Sequence, residues 1–359
     1  MRRPATAVTL SIAAGLAGLT GLGLTLASCG RGGETGGGDS NLPTQAIGPY
    51  KELETNFETP LNEPFVLEDI AADLVEPAIL DGDQVQGRGD RLIVYVERIA
   101  TAGGRGTIVR ADIDPNLEAS TEPPEEILAP TEPWEGNRVG APAVLRRGDK
   151  VILFFEGGDG AQGGIGRAVS MDGGRTFTRL QKNPVLTAPG ARQPTVIASP
   201  ADPARQLSMY FVGDSVRGPA IFLTQSTDDG QSWGAARLVL GADSPATSDA
   251  GGVQIDLGGT EGPCAFGPTS GAGLPYVGLF YVGVSATRTR SIGYAGSFDG
   301  EHFARFPGNP VVGAGGADET GPAVRREGDR GILLYAVSAG GRRSIAAARH
   351  LVRTPTGSN

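Results

Sequence analysis

Apolar residues gather in short runs bounded by turn residues, the pattern of hairpins rather than helices. Val151-Ile-Leu-Phe-Phe155 follows Gly148-Asp149, Ile332-Leu-Leu-Tyr335 follows Gly328-Asp329, and Leu92-Ile-Val-Tyr95 follows Gly89-Asp90. Shorter runs that open on proline come before several of them: Pro142-Ala-Val144, Pro194-Thr-Val196, Pro263-Cys-Ala265 and Pro322-Ala-Val324. Each proline opens a candidate innermost strand. Third strands are read at Gly106–Val109, Gly164–Ala168, Pro219–Leu223, Ser291–Ala295 and Ser344–Ala348, and two units carry a fourth-strand tail, Asn183-Pro-Val-Leu186 and Asn309-Pro-Val-Val312.

A second repeat interleaves with the first. Ser170-Met-Asp172, Ser226-Thr-Asp228 and Ser297-Phe-Asp299 each lead through glycine to an aromatic residue, Phe177, Trp233 or Phe303, and their aspartates lie 56 and 71 residues apart. That interval suits one four-stranded sheet per repeat. Ser and Asp side chains hydrogen-bond to nearby backbone, glycine takes conformations other residues resist, and the aromatic is expected to fill the space between neighbouring sheets. Asp172, Asp228 and Asp299 are therefore structural. The phrase resembles the Asp box of sialidases and other propeller glycosidases.

The expectation is an all-β, five-bladed β-propeller over residues 65–353, closed by an N-terminal strand that pairs with the C-terminal blade. Glu76-Pro-Ala-Ile-Leu80 has the form of a fourth-strand tail and is assigned as the closing strand, which hides both open edges. The first inner strand is then placed at Asp83, and residues 66–75 read as a short helix or cap. Residues 354–359 are a tail.

The N-terminus changes where such a ring would sit. Arg2 and Arg3, an apolar run and Leu26-Ala-Ser-Cys29 resemble a bacterial lipoprotein signal over residues 1–28, with lipid attached to Cys29. Residues 29–64 form the lipidated cysteine and a Gly-rich tether. Processing implies an exported protein anchored by lipid to the cell membrane or outer membrane. The mature chain would carry 29 basic and 40 acidic side chains, a net charge of −11, which argues against nucleic acid as a partner. Cys264 would be the remaining cysteine, and His302 and His350 are the two histidines, so thiol, triad and histidine-metal chemistry are poorly supplied.

Five blades with proline-opened inner strands also resemble the superfamily of family 43 and family 32 glycoside hydrolases and family 130 phosphorylases. Those families act from carboxylates at the starts of inner strands, often within Asp-Pro and Glu-Gly-Pro phrases. The resemblance implies Glu261, in Glu261-Gly-Pro263, as a catalytic acid, with Asp83 and Asp81 as its carboxylate partners, and a glycan or polysaccharide as substrate. Blades two and three present Ala141-Pro142 and Gln193-Pro194 in place of Asp-Pro. Around the same face, Arg138, Arg192, Glu319, Glu156 and Trp134 are candidate ligand-binding residues, alongside Glu97, Glu135, Asp214 and Asp318. Carboxylates and guanidinium groups would bind hydroxyls there, and Trp134 would stack on a sugar. The long connection from Leu240 to Pro263 is read as a ligand lid. No cofactor is expected; the resemblance admits a channel calcium, but no ligand set identifies one. The alternative to a glycosidase is a noncatalytic propeller scaffold that binds protein or polysaccharide.

Overall fold

The computed structural model describes residues 57–58, 65–81, 91–114, 123–158, 163–242, 244, 254–267, 277–306, 308–312, 318–327, 330–339 and 341–350. The predicted signal, Cys29, the tether and Asp83 lie outside them. Among the described residues, twenty strands pair into five antiparallel sheets of four. The first sheet holds β2 (Ala72–Asp81), β3 (Leu92–Ala100), β4 (Gly106–Ile113) and β5 (Glu125–Leu128); the second holds β6 (Val139–Arg147), β7 (Lys150–Gly157), β8 (Gly164–Ser170) and β9 (Thr178–Arg179). The third holds β10 (Arg192–Ala198), β11 (Leu207–Ser215), β12 (Gly218–Ser226) and β13 (Arg237–Leu240), and the fourth β14 (Gly259–Phe266), β15 (Val277–Val284), β16 (Arg290–Ser297) and β17 (Ala304–Arg305). The fifth combines β18 (Thr320–Glu327), β19 (Arg330–Ala339) and β20 (Arg342–His350) with the N-terminal β1 (Phe57–Glu58). Innermost strands touch in the cyclic order β2, β6, β10, β14, β18 and back to β2. This is a five-bladed propeller, as the apolar pattern predicts.

The ring is latched by different residues from those expected. β1 pairs Phe57 with His350, and Leu67 then bridges Ile345, with Val66 and Leu67 both donating their N–H to the Ile345 carbonyl. The tails of blades two and four behave the same way, since Val185 and Leu186 donate to Ile165 while Val311 and Val312 donate to Ile292. Phe57–Glu58 and Val66–Leu67 thus supply the outer edge of blade five. Glu76–Leu80 instead lies inside β2, the innermost strand of blade one. Asp81 is paired with Leu92 at the far end of that strand, next to the hairpin. Glu76-Pro-Ala-Ile reads equally well beside Asn183-Pro-Val-Leu and beside Ala141-Pro-Ala-Val. No cap helix occupies 66–75, because Ala72 already begins β2.

Packing between blades rests on the second strands and on the Ser-x-Asp turns. Leu92, Ile93, Val94, Tyr95 and Val96 are all fully buried. Phe177 packs edge-on against Tyr95 of the preceding blade, Trp233 against Phe154 and Phe303 against Tyr210, with ring centres 5.7–5.9 Å apart. Tyr95 and Tyr210 also donate their hydroxyls to the Gly174 and Gly300 carbonyls at 2.8 Å. Gly174, Gly230 and Gly300 have φ of 86°, 77° and 74°, and a Cβ there would strike Tyr95, Phe154 or Tyr210. Only glycine meets both demands.

Candidate functional site at the channel mouth

The turns lie at the opposite end of the blades from any site. Burial pushes the Asp172 carboxyl up, but hydrogen bonds from Ser170, from the Thr176 hydroxyl and from the N–H groups of Thr176 and Arg175 outweigh it and hold the group below the ordinary carboxylate range. Asp228 and Asp299 are held down in the same manner. A carboxylate so occupied is scaffold.

At the other end, each innermost strand carries a bulge at the residue before its proline. The register slips between Val75 and Ala78, Gly140 and Ala143, Arg192 and Thr195, Glu261 and Cys264, and Thr320 and Ala323. Glu76, Ala141, Gln193, Gly262 and Gly321 occupy the bulges with φ between 42° and 57°. Three of the five are not glycine, a conformation that costs about 1–3 kcal/mol each and gathers at functional sites. A bulge also re-aims its side chain. Blades one and three are not neighbours, yet Gln193 Nε2 donates to Glu76 Oε1 at 2.9 Å while Gln193 Oε1 accepts from the Gly262 N–H at 3.1 Å. One amide therefore ties blades one, three and four together across the mouth. Below it, the channel lined by Pro77, Pro142, Pro194, Pro263, Pro322 and their successors encloses about 100 Å³. That holds a few waters and no sugar, so a ligand would sit above the bulges.

Glu76 is surrounded by charge. Burial and the nearby Glu97 and Glu156 carboxylates raise it to about 8 against the partial compensation of Arg138 and Gln193. Glu97 and Glu156 are themselves buried. Arg138 donates Nε and Nη2 to Glu97 at 2.5 and 2.8 Å and Nη1 to Glu156. The remaining carboxylate capacity goes to the next blade's bulge: Ala141 N–H donates to Glu97 at 3.1 Å and Gln193 N–H to Glu156 at 3.2 Å. Arg138 and Glu156, candidates for ligand contact, are thereby committed to joining blades.

Glu261 lies on the same face, one residue before a bulge. It accepts from Arg290 Nε at 3.0 Å and lies 3.8 Å from Arg192. These pairs belong to a ladder of alternating charge: Asp214, Arg192, Glu261, Arg290, Asp318 and Arg343 follow one another at 3.0–3.8 Å. Glu319 is buried, its Oε2 has no hydrogen-bond partner among the described residues, and burial with repulsion from Asp318 raises it to about 7. The equivalent positions, Leu74, Val139, Ala191 and Thr260, carry no charge.

Other expected contacts fall elsewhere. Trp134 packs on Phe155 with ring centres 5.8 Å apart and covers Gly157 and Gly166, so it fills core rather than offering a stacking platform. Glu135 is buried against Arg179, which donates Nε at 2.6 Å. Arg305 does the same for Asp256, donating Nε at 2.6 Å and Nη2 to the Gly241 carbonyl. Asp256 and the buried Ile255 pin the end of the Leu240–Pro263 connection to blade four, so this part of it is no lid. Asp81, at the opposite end of β2, cannot join Glu261. Burial pushes the Cys264 thiol up to about 12, leaving it a small protonated filler of the channel wall. Among the described residues no three His, Cys, Asp or Glu side chains converge as metal ligands. Glu76 and Gln193 are the site residues that sequence reasoning missed. The signal was present in Glu76-Pro77, an Asp-Pro phrase lengthened by one methylene.

No protein-family model matches the chain, and no curated protein matches it in sequence. Solved structures do. A thermostable family-43 glycoside hydrolase superposes with a TM-score of 0.55 at 16% identity over 77% of this chain and 89% of its own. An endo-arabinase from Bacteroides thetaiotaomicron gives 0.56 at 14% identity over 81% and 99%, and an α-L-arabinofuranosidase from Lactobacillus brevis gives 0.54 at 13% over 79% and 92%. At these identities the likeness is one of fold: the chain is a glycosidase-like five-bladed propeller.

Proposed function

We propose that the channel mouth is a glycan site and that the chain is a glycoside hydrolase acting through Glu76 and Glu261. The observation that carries this is Glu76: a carboxyl on a strained bulge, at the axis of a glycosidase-like ring, whose surroundings keep its proton up to about pH 8. Glycoside cleavage needs one carboxyl that holds a proton for the leaving oxygen and one that is ionised. Glu76 is the protonated partner, and Glu261, held by Arg290 at 3.0 Å, is its counterpart. Gln193 orients Glu76 through its amide.

A panel of aryl glycosides and polysaccharides tests this, with Glu76→Gln and Glu261→Gln as controls. Each variant is expected to lose about 10²–10⁴-fold in kcat on any substrate turned over. Turnover that survives Glu76→Gln overturns the assignment. The noncatalytic scaffold is favoured by one observation, the neutral Ala141 and Gln193 at the bulges of blades two and three. Glycan binding without turnover would establish it. We also propose, from the signal alone, that lipid at Cys29 anchors the protein to a cell-envelope membrane. Incorporation of a labelled fatty acid that Cys29→Ala does not abolish would refute it.

A further inference from the structure

The main chain dictates which way the Gln193 amide points. A backbone N–H can only donate, so the Gly262 N–H, 3.1 Å away, faces the amide oxygen. The amide nitrogen is then turned to the other side, where it donates to Glu76 Oε1 at 2.9 Å. A flipped amide would set donor against donor at Gly262 and leave Glu76 facing an oxygen. The relay therefore runs in one direction, from blade four through blade three to blade one.

Both ends are held. The Gln193 N–H donates to the buried Glu156 at 3.2 Å, and two residues on Thr195 Oγ1 accepts from the Ala265 N–H at 3.3 Å, a second tie between blades three and four. Blade five presses on the far end, since a Cβ on Gly321 would lie 2.8 Å from the Glu76 Cα. The two oxygens of Glu76 are consequently not equivalent. A protonated carboxyl has one carbonyl oxygen, the stronger acceptor, and one O–H donor. Among the described residues the one hydrogen bond to this carboxyl goes to Oε1, which makes Oε1 the carbonyl oxygen and leaves the proton on Oε2.

We propose that Gln193 is a positioning residue that keeps the Glu76 proton on Oε2, the oxygen left for a ligand, and that the Gly262 N–H, one residue past Glu261, sets the amide for this task. Its benefit to catalysis rests on the glycosidase reading above; the place of the proton rests on the hydrogen bonds. Glu97, Glu156 and Arg138 are the charged groups that act on the same carboxyl. The bulges of blades two, four and five, at Ala141, Gly262 and Gly321, bring no charge.

Infrared difference spectra of the full chain, titrated from about pH 6 to 10, read the C=O stretch of the protonated carboxyl, assigned by its loss in Glu76→Gln. Gln193→Ala suits the backbone, because Ala141 already holds the matching bulge of blade two at φ 42°. It is expected to move the stretch to higher frequency, as a carbonyl freed of its donor stiffens, and to raise the midpoint by roughly one pH unit, since the lost donor favoured the ionised form. Gln193→Glu keeps an oxygen for the Gly262 N–H but offers Glu76 no N–H, which draws the proton onto Oε1 between the two carboxyls. On any substrate turned over, kcat is expected to fall about tenfold in Gln193→Ala and about 10²-fold in Gln193→Glu, with KM little changed. A stretch that Gln193→Ala leaves in place, no band that Glu76→Gln removes, or a kcat that Gln193→Glu leaves unchanged overturns the proposal. A shifted stretch without turnover of any glycan sinks the hydrolase and leaves the relay standing; turnover that requires Glu76, with a stretch indifferent to Gln193, does the reverse.

Discussion

Gln193 and Glu76, from blades that are not neighbours in the ring, share a 2.9 Å hydrogen bond over its axis. It places a carboxyl that resists ionisation at the point where all five inner strands begin. Burial and the nearby Glu97 and Glu156 carboxylates, against the opposing pull of the Gln193 bond, make Glu76 a sensor of pH.

Glu76 rises from about 4.5 to about 8 on folding. Between those values the unfolded chain releases the proton while the folded chain keeps it, so stability falls as pH rises through this window. Glu76→Gln removes the titration and keeps an acceptor for Gln193. Thermal melts from pH 5 to 9 are expected to show the variant gaining on the parent toward pH 9, by on the order of 1–3 kcal/mol. A constant difference across that range would contradict the assignment.

Arg138 neutralises two buried carboxylates at once. Arg138→Met leaves Glu97 and Glu156 facing each other and is expected to cost about 3–5 kcal/mol in denaturant unfolding near neutral pH. Much of the loss should return at low pH, where Glu156, already raised by burial, takes up a proton.

The Tyr95 hydroxyl and Gly174 should behave as a coupled pair. Tyr95→Phe removes one buried hydrogen bond, worth about 1 kcal/mol. Gly174→Ala drives a Cβ onto the hydroxyl at a positive φ and should cost more. In the double variant the steric part of that cost is relieved, so a double-mutant cycle is expected to be non-additive by at least about 0.5 kcal/mol.

Leu67 is 3% exposed and bridges Ile345 in the latch. Leu67→Ala is expected to cost about 2–5 kcal/mol and to speed amide exchange at Ile345, whose N–H donates to the Leu67 carbonyl. Exchange unchanged at Ile345 would rule out the latch.

Blade number and turn chemistry were legible because they rest on local rules. Ser170, Asp172 and Gly174 satisfy one another within five residues, and prolines mark strand starts by their fixed φ. The first blade was misread because Glu76-Pro77 obeys the same local grammar as a tail, and only pairing with Tyr95 and Val94 distinguishes the two. The site was harder still. Glu97, Glu156 and Glu135 look like rim carboxylates until Arg138 and Arg179 are seen folded onto them from sequence-distant positions. Gln193 carries no charge to draw attention, and its role exists only once blades one and four stand on either side of it.

Closing the ring joins residue 57 to residue 350. A ribosome delivers the first of these early and the second late, so the circle shuts only after the intervening sheets have been made. Until then blade five lacks its outer edge, and β20 presents an open row of backbone donors and acceptors to any passing strand. Ring closure between such distant residues also makes this the contact with the greatest entropic cost to form, and hence the step at which a newly made chain is most exposed to capture by its neighbours.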